Sequence, residues 1–180
     1  DLHLSIRRQR QMCIRDSYTF NSKIGWITAI SSDLGILRIS LPEKSSEISA
    51  SQFKNEINLY ESNPDKFKEI IEKIESYFDG YLTDFTDITI DFSQMSNFQK
   101  MTLKQCRKIK SGETKSYKWL AEKINHPKAW RAIGNALSQN PVPIIIPCHR
   151  VINSNGKLGG YLGEMKNNFK KKLLEIEFNN

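Results

Sequence analysis

Residues 116–151 read SYKWLAEKINHPKAWRAIGNALSQNPVPIIIPCHRV, and the order of elements in this stretch decides the fold. Ser116 stands where a helix N-cap belongs, and Tyr117, Leu120, Ala121 and Ile124 behind it recur on one face of a 3.6-residue period. A further helical pattern begins at Pro127, a residue suited to a first helical turn, with Trp130, Ile133 and Leu137 expected to face inward. Only a few residues join the two helices, which is the spacing of a helix-turn-helix. Arg131, Asn135 and Ser138 fall on the face opposite Trp130, at i, i+4 and i+7, where such a helix could meet DNA; an ordinary three-helix core with a polar outer face gives the same pattern. After Asn140-Pro141-Val142-Pro143, the apolar β-branched run Ile144-Ile145-Ile146 reads as a buried strand that delivers Cys148-His149 at its end.

Upstream, Ser96-Asn97 opens a first helical pattern over about 98–110. Its Thr102 and Cys106 stand at positions that suit larger apolar residues, and Cys106 reads as core filler. Further back, the β-rich runs GWITAI and GILRISL flank the turn-forming Ser31-Ser32-Asp33 and predict an antiparallel hairpin. Asn63-Pro64-Asp65 predicts a helix start, and Phe67, Ile70, Ile71, Ile74, Tyr77 and Phe78 follow at helical spacing until Gly80. One face of that helix should cover the sheet, to which Ile88–Phe92 could add a strand. No cluster of catalytic residue types occurs in residues 18–92, and their expected role is structural.

The bulk composition fits one or two globular domains. The chain has 180 residues, 38% hydrophobic and 26% charged, and no run of the roughly 18 or more apolar residues that a membrane helix needs. Neither a membrane span nor a signal peptide is expected, and the chain should stay inside the cell. Three cysteines, Cys13, Cys106 and Cys148, are odd in number and irregularly spaced. They suit neither a disulfide framework nor a four-ligand zinc site. The charge is unevenly divided: residues 98–180 hold 16 Lys and Arg against 5 Asp and Glu, whereas residues 18–97 hold 7 against 13. A basic C-terminal half suggests a polyanionic partner, although Lys-rich faces are often only solvated surface. Residues 1–17 carry four of the eight arginines and show no clean period. They read as a disordered or non-native leader, with a basic DNA-contacting arm as the alternative.

A lone Cys-His pair is weak evidence for chemistry. Here prolines bracket the run that leads to it, and the glycine-rich loop 156–163, GKLGGYLG, follows, a loop type that lets a ligand approach backbone amides. Gly112-Glu113-Thr114 with Ser116-Tyr117, Pro127-Lys128-Ala129 with Arg131-Ala132 and Gly134, Asn140-Pro141-Val142-Pro143 and Pro147-Cys148-His149-Arg150-Val151 occur in an order that resembles the O6-alkylguanine-DNA alkyltransferase (methylated-DNA–protein-cysteine methyltransferase) family. The match spans about residues 98–177. The resemblance implies an α+β fold: a small N-terminal α/β domain at 18–92, an antiparallel sheet plus helix, followed by a mainly helical winged-helix/helix-turn-helix C-terminal domain at 93–180.

The resemblance also implies irreversible transfer of an alkyl group from O6-alkylguanine, with O4-alkylthymine as a second candidate, in double-stranded DNA to Cys148. A thiolate is the best soft nucleophile among side chains, but a free thiol near pKa 8.5 is mostly protonated at neutral pH, so a base must act on it. The implied relay runs from Cys148 through a water to His149, held by Glu177 of the closing Leu173-Leu174-Glu175-Ile176-Glu177, with Glu175 as competitor. Tyr117 is the implied donor to the leaving O6, and Asn140 is expected to brace the turn between recognition helix and strand. Lys128, Arg131, Ala132, Asn135 and Ser116 are the implied DNA contacts. Arg131 would fill the gap left by the flipped base, and the small Ala132 and Ala136 would permit close approach. Guanine recognition is expected from backbone groups at Cys148 and Val151 and from Tyr161, Leu162 and Gly163. A monomer without a cofactor is expected. Some relatives hold a structural zinc, for which residues 18–92 offer no clear ligands. A non-catalytic reader of alkylated bases, a winged-helix regulator and a Cys-His hydrolase are the rival readings; Cys148 speaks against the first, the regulator leaves 147–151 unexplained, and the hydrolase has only His3 and His126 for its distant histidine.

Overall fold

The computed structural model describes residues 16–54, 61–163 and 168–179. The leader expected at 1–17 therefore lies outside the described residues up to position 15. Its last two residues instead open strand β1 (Asp16–Ser22), where Asp16 is buried and accepts from Lys66 Nζ at 2.7 Å. This strand escaped the sequence reading because Ser17, Thr19 and Asn21 break its apolar run.

β1 pairs antiparallel with β2 (Gly25–Ser32), and β2 with β3 (Gly35–Ile39), the hairpin expected around 31–33. The short β4 (Glu61–Ser62) adds parallel to β1, giving the order β3-β2-β1-β4. α1 (Ser46–Ser51) lies against β1 and β2, capped by Ser45. Ile88–Phe92 does not form a strand. It makes one bridge, Ile36 to Ile90, with Ile36 N donating to Thr89 O at 2.8 Å and Asp91 N to Ile36 O at 2.9 Å. Gly35 makes that approach possible, since a Cβ there would stand 2.5 Å from the Thr89 carbonyl oxygen.

Asn63 caps a 3-10 turn at Pro64–Phe67 that runs into α2 (Lys68–Phe78). Phe67, Ile70, Ile74, Tyr77 and Phe78 are buried, each side chain of this size adding about 1.5–3 kcal/mol when withdrawn from water. The second half packs α3 (Asn97–Cys106), α4 (Tyr117–Lys123) and α5 (Trp130–Ser138) against one another. Ser96 and Gln99 form a reciprocal capping box on α3, and Ser116 caps α4 as expected. Two-residue strands β5 (Lys115–Ser116) and β6 (Val151–Ile152) pair in parallel, and α6 (Asn168–Phe178) closes the described chain.

Two expectations in this half need correction. Trp130 does not face inward; it is 49% exposed at the start of α5, while Ile133, Ala136 and Leu137 form the buried face. Ile144-Ile145-Ile146 is buried but turns instead of extending: Ile144 has φ 75°, Ile146 N donates back to Val142 O at 2.9 Å, and Cys148–Arg150 form a 3-10 turn. One continuous core runs from Phe20 on β1 to Leu173 on α6, and Ile39 N donates to Pro141 O at 2.9 Å across the two halves. No described helix is long and apolar enough to cross a membrane.

Candidate active site

Asn140, just past the end of α5, organises the turn that carries the nucleophile. Its Oδ1 accepts from Val142 N at 3.1 Å, and its Nδ2 donates to Ile146 O at 2.9 Å and to Cys148 Sγ at 3.2 Å. The expected brace is thus also a direct partner of sulfur. Cys148 is 4% exposed. Burial pushes its thiol above the ordinary range, while the Asn140 amide and the Lys170 ammonium pull in the other direction. The resting sulfur is protonated and needs a base.

His149, wholly buried beside it, makes no bond to Cys148. Its Nε2 meets Glu177 Oε1 at 2.7 Å, and its buried Nδ1 has no hydrogen-bond partner among the described residues. Because the carboxylate accepts, Nε2 carries the hydrogen and Nδ1 is the free acceptor. Burial pushes the imidazole pKa down, against the pull of Glu177. The ring is therefore neutral at pH 7 and able to take a proton.

Glu177, buried on the inner face of α6, is the carboxylate at this site; Glu175 is exposed and pairs with Lys171 at 3.4 Å. Oε1 also accepts from Tyr77 OH at 2.8 Å and Arg150 Nη2 at 2.9 Å; Oε2 accepts from Arg150 Nε at 2.9 Å and Gly112 N at 3.4 Å. Desolvation pushes this carboxyl up, but the hydrogen bonds from His149 and Arg150, the Arg150 charge and, once the ring is protonated in acid, that of His149 outweigh it and hold its pKa at about 2.

A pocket of about 220 Å3 adjoins the sulfur, lined by Tyr117, Gly134, Leu137, Cys148 and the 160–163 loop. It is smaller than the roughly 300–1,000 Å3 of drug-sized ligand sites, the scale of a single base. A larger hollow of about 420 Å3 lies behind the 144–150 turn and does not reach Cys148. At Gly159 a Cβ would stand 3.3 Å from the Tyr117 hydroxyl. Leu162 (φ 46°) and Gly163 (φ 88°) turn the loop over the pocket. Lys170 fastens that loop from below: its buried Nζ donates to Val151 O at 2.6 Å, Leu158 O at 2.5 Å and Gly160 O at 3.3 Å.

The structure brings together Cys148, His149, Glu177, Asn140, Tyr117, Tyr161, Leu162 and Gly163. Val151 is buried and does not line the pocket. Its N–H donates to Cys148 O and the Cys148 N–H donates to Ile146 O, so of the backbone groups expected at these two residues both N–H donors are engaged, and the Val151 carbonyl accepts from Lys170 Nζ. Lys128, Arg131, Ala132 and Asn135 are exposed about the start and outer face of α5, and the Arg131 guanidinium stacks on Trp130 at 4.8 Å. Ala136 is buried and lies off that surface, and the Ser116 hydroxyl accepts from Trp119 N, which leaves its O–H able to donate. Among the described residues no group of three or more His, Cys, Asp or Glu gathers as a metal site.

Three participants were not singled out in the sequence. Arg150 belonged to the quoted motif, and a buried guanidinium requires a carboxylate. Lys170 falls at i−7 from Glu177 on the inner face of α6, an unusual place for lysine. Tyr77 sits where a core position carries a hydroxyl that must find a partner.

Residues 16–92 match the family model described as "6-O-methylguanine DNA methyltransferase, ribonuclease-like domain", and residues 97–179 match its "DNA binding domain". A methylated-DNA–protein-cysteine methyltransferase of Metallosphaera sedula is 38% identical over 88% of this chain and 90% of its own length. The chain belongs to the 6-O-methylguanine DNA methyltransferase family. Another member, from Methanosarcina mazei, is 43% identical over 68% of this chain and 75% of its own. OGT of Mycobacterium tuberculosis in complex with DNA superposes with a TM-score of 0.75 at 34% identity, covering 91% of this chain and 93% of that one. The fold is also that of the O6-methylguanine-DNA methyltransferase of Pyrococcus kodakaraensis, at a TM-score of 0.67 and 20% identity, over 91% and 99% of the two chains. Membership in this methyltransferase family accounts for the α+β architecture, an N-terminal sheet followed by a helical C-terminal half.

Proposed function

We propose that this protein is a DNA-repair alkyltransferase that moves an alkyl group, methyl first among them, from O6 of guanine in duplex DNA onto Cys148, once per molecule. The observation that carries this reading is a thiol at the wall of a base-sized pocket with a buried, neutral histidine and its carboxylate behind it. The Cys148 proton passes through a water to His149 Nδ1. Sulfur forms a bond to the alkyl carbon as the carbon–O6 bond breaks, its electron pair staying on O6. A hydrogen bond from Tyr117 stabilises that charge until guanine takes up a proton. The thioether has no easy route back to a thiol, so the protein is consumed.

A base inside a duplex cannot reach this pocket without leaving the stack, at a cost of roughly a few kcal/mol. Arg131 on α5 supports the reading of a side chain that fills the vacated place, with Lys128, Ala132 and Asn135 beside it. Residues 18–92 and 93–180 serve as a supporting domain and a DNA-binding, alkyl-accepting domain, and the protein acts as a monomer.

The test is the intact mass after incubation with an oligonucleotide containing O6-methylguanine, followed by peptide mapping. The expected gain is one methylene, on Cys148, and Cys148→Ala should bind the same DNA without gaining mass. Lesion binding by the unaltered chain with no gain at all would instead establish a non-catalytic reader.

A further inference from the structure

Among the described residues, Tyr77 is the only donor to Glu177 that comes from the N-terminal unit. Phe78 and Phe85 pack edge-on to its ring at 5.5 and 6.0 Å, contacts that phenylalanine could make equally well. The hydroxyl instead crosses to α6. It donates to Glu177 Oε1 at 2.8 Å, the oxygen that meets His149 Nε2 at 2.7 Å, and lies 3.5 Å from Nε2 itself. Burial, then the charge of Glu177, pushes the phenol far above its ordinary range, so it remains a neutral donor.

We propose that Tyr77 is a positioning residue of the relay: its hydroxyl holds the Glu177 carboxylate and draws charge from Oε1, so that docking of the N-terminal unit sets how firmly Glu177 grips His149. The proposal rests on the reading of Cys148, His149 and Glu177 as an alkyl-transfer relay. To accept the thiol proton, His149 must first be neutral. Its surroundings oppose one another: burial, Arg150 and Lys170 disfavour imidazolium, whereas Glu177 favours it. Cys148, Cys106 and the phenols of Tyr117 and Tyr161, all pushed up by burial and protonated at rest, are the other titratable groups of this cluster. Arg150 and the Gly112 N–H also share the charge of Glu177. Without the Tyr77 hydroxyl more of that charge falls on His149, and the ring keeps its proton to higher pH.

The test is Tyr77→Phe in the full chain, with two readouts against pH: the imidazole NMR titration of His149 and the single-turnover rate of methyl transfer from an O6-methylguanine oligonucleotide. The His149 titration should move to higher pH and carry the acid limb of the rate with it. A displacement of about half to one pH unit lowers the rate on that limb about three- to tenfold, while the high-pH plateau and DNA affinity are retained. Site-specific 3-fluorotyrosine at position 77, a more acidic donor that preserves the packing, should move both the other way. Loss of rate by the same factor at every pH, with the His149 titration unmoved, would show that Tyr77 only packs and would overturn the proposal. Should Tyr77→Phe fail to fold, the fluorotyrosine protein decides, and no downward displacement in it sinks the idea. If the unaltered chain transfers no methyl group, the functional reading fails separately, and the His149 titration still decides the role of Tyr77.

Discussion

Glu177 keeps a negative charge inside the protein because Tyr77, His149, Arg150 and Gly112 all donate to its two oxygens. The folded pKa, about 2, lies below the ordinary 4.5. The stabilisation this provides is therefore complete above about pH 4.5 and is lost as pH falls toward 2. By linkage it amounts to roughly 3 kcal/mol. Urea unfolding followed between pH 2 and 7 should show that loss. Glu177→Gln should lose about 3–5 kcal/mol at pH 7, the usual cost of breaking a buried pair from one side, and its stability should fall less steeply in acid. Glu175→Gln, which removes only an exposed pair with Lys171, should cost less than about 0.5 kcal/mol. Identical acid profiles for Glu177→Gln and the unaltered chain would mean that another carboxyl carries the transition.

At the scale of elements, periodicity located what periodicity controls. α2, α4 and the buried face of α5 were legible because Ile70, Ile74, Leu120, Ile133 and Leu137 repeat at helical spacing. Trp130 obeys the same spacing but starts the helix, beyond the edge of the core, so its ring reaches solvent under Arg131. The 144–146 run misled for a different reason. Three adjacent isoleucines suit any buried backbone, and it is the Asn140 amide, donating to Ile146 O of the run between Pro143 and Pro147, that holds this one bent, a contact no period reports. Cys148, His149 and Glu177 were legible through the ordered motif, whereas Tyr77 meets Glu177 across 100 residues. The exposed face of α5 carries its own prediction. Arg131→Ala removes an exposed side chain whose contact among the described residues is its stacking on Trp130, and should change stability by less than about 0.5 kcal/mol. It should slow repair of duplex O6-methylguanine far more than reaction with the free base, which needs no flipping. Equal losses in both assays would assign Arg131 to the pocket instead of the stack.

For the molecule as a whole, charge decides which side meets DNA. The balance is +11 over residues 98–180 and −6 over 18–97, and the exposed side of α2 presents Glu69, Glu72 and Glu75. On the proposed placement of a duplex along α5, phosphates are neutralised against the basic half and counterions released, so affinity should fall steeply as salt rises. The slope of log affinity against log salt counts those contacts, and Lys128→Ala should reduce it by about one if Lys128 touches a phosphate. The acidic half provides the control. Glu69→Lys adds positive charge on the exposed side of α2, outside the lining of the pocket, and, at moderate salt, should leave the slope unchanged, because screening confines its field to about 8–10 Å. A slope that steepens with Glu69→Lys and ignores Lys128→Ala would place the phosphates on the N-terminal unit. Cys148 and its pocket could not then serve the same bound duplex, and the assignment of α5 as the DNA-facing helix would fall with that result.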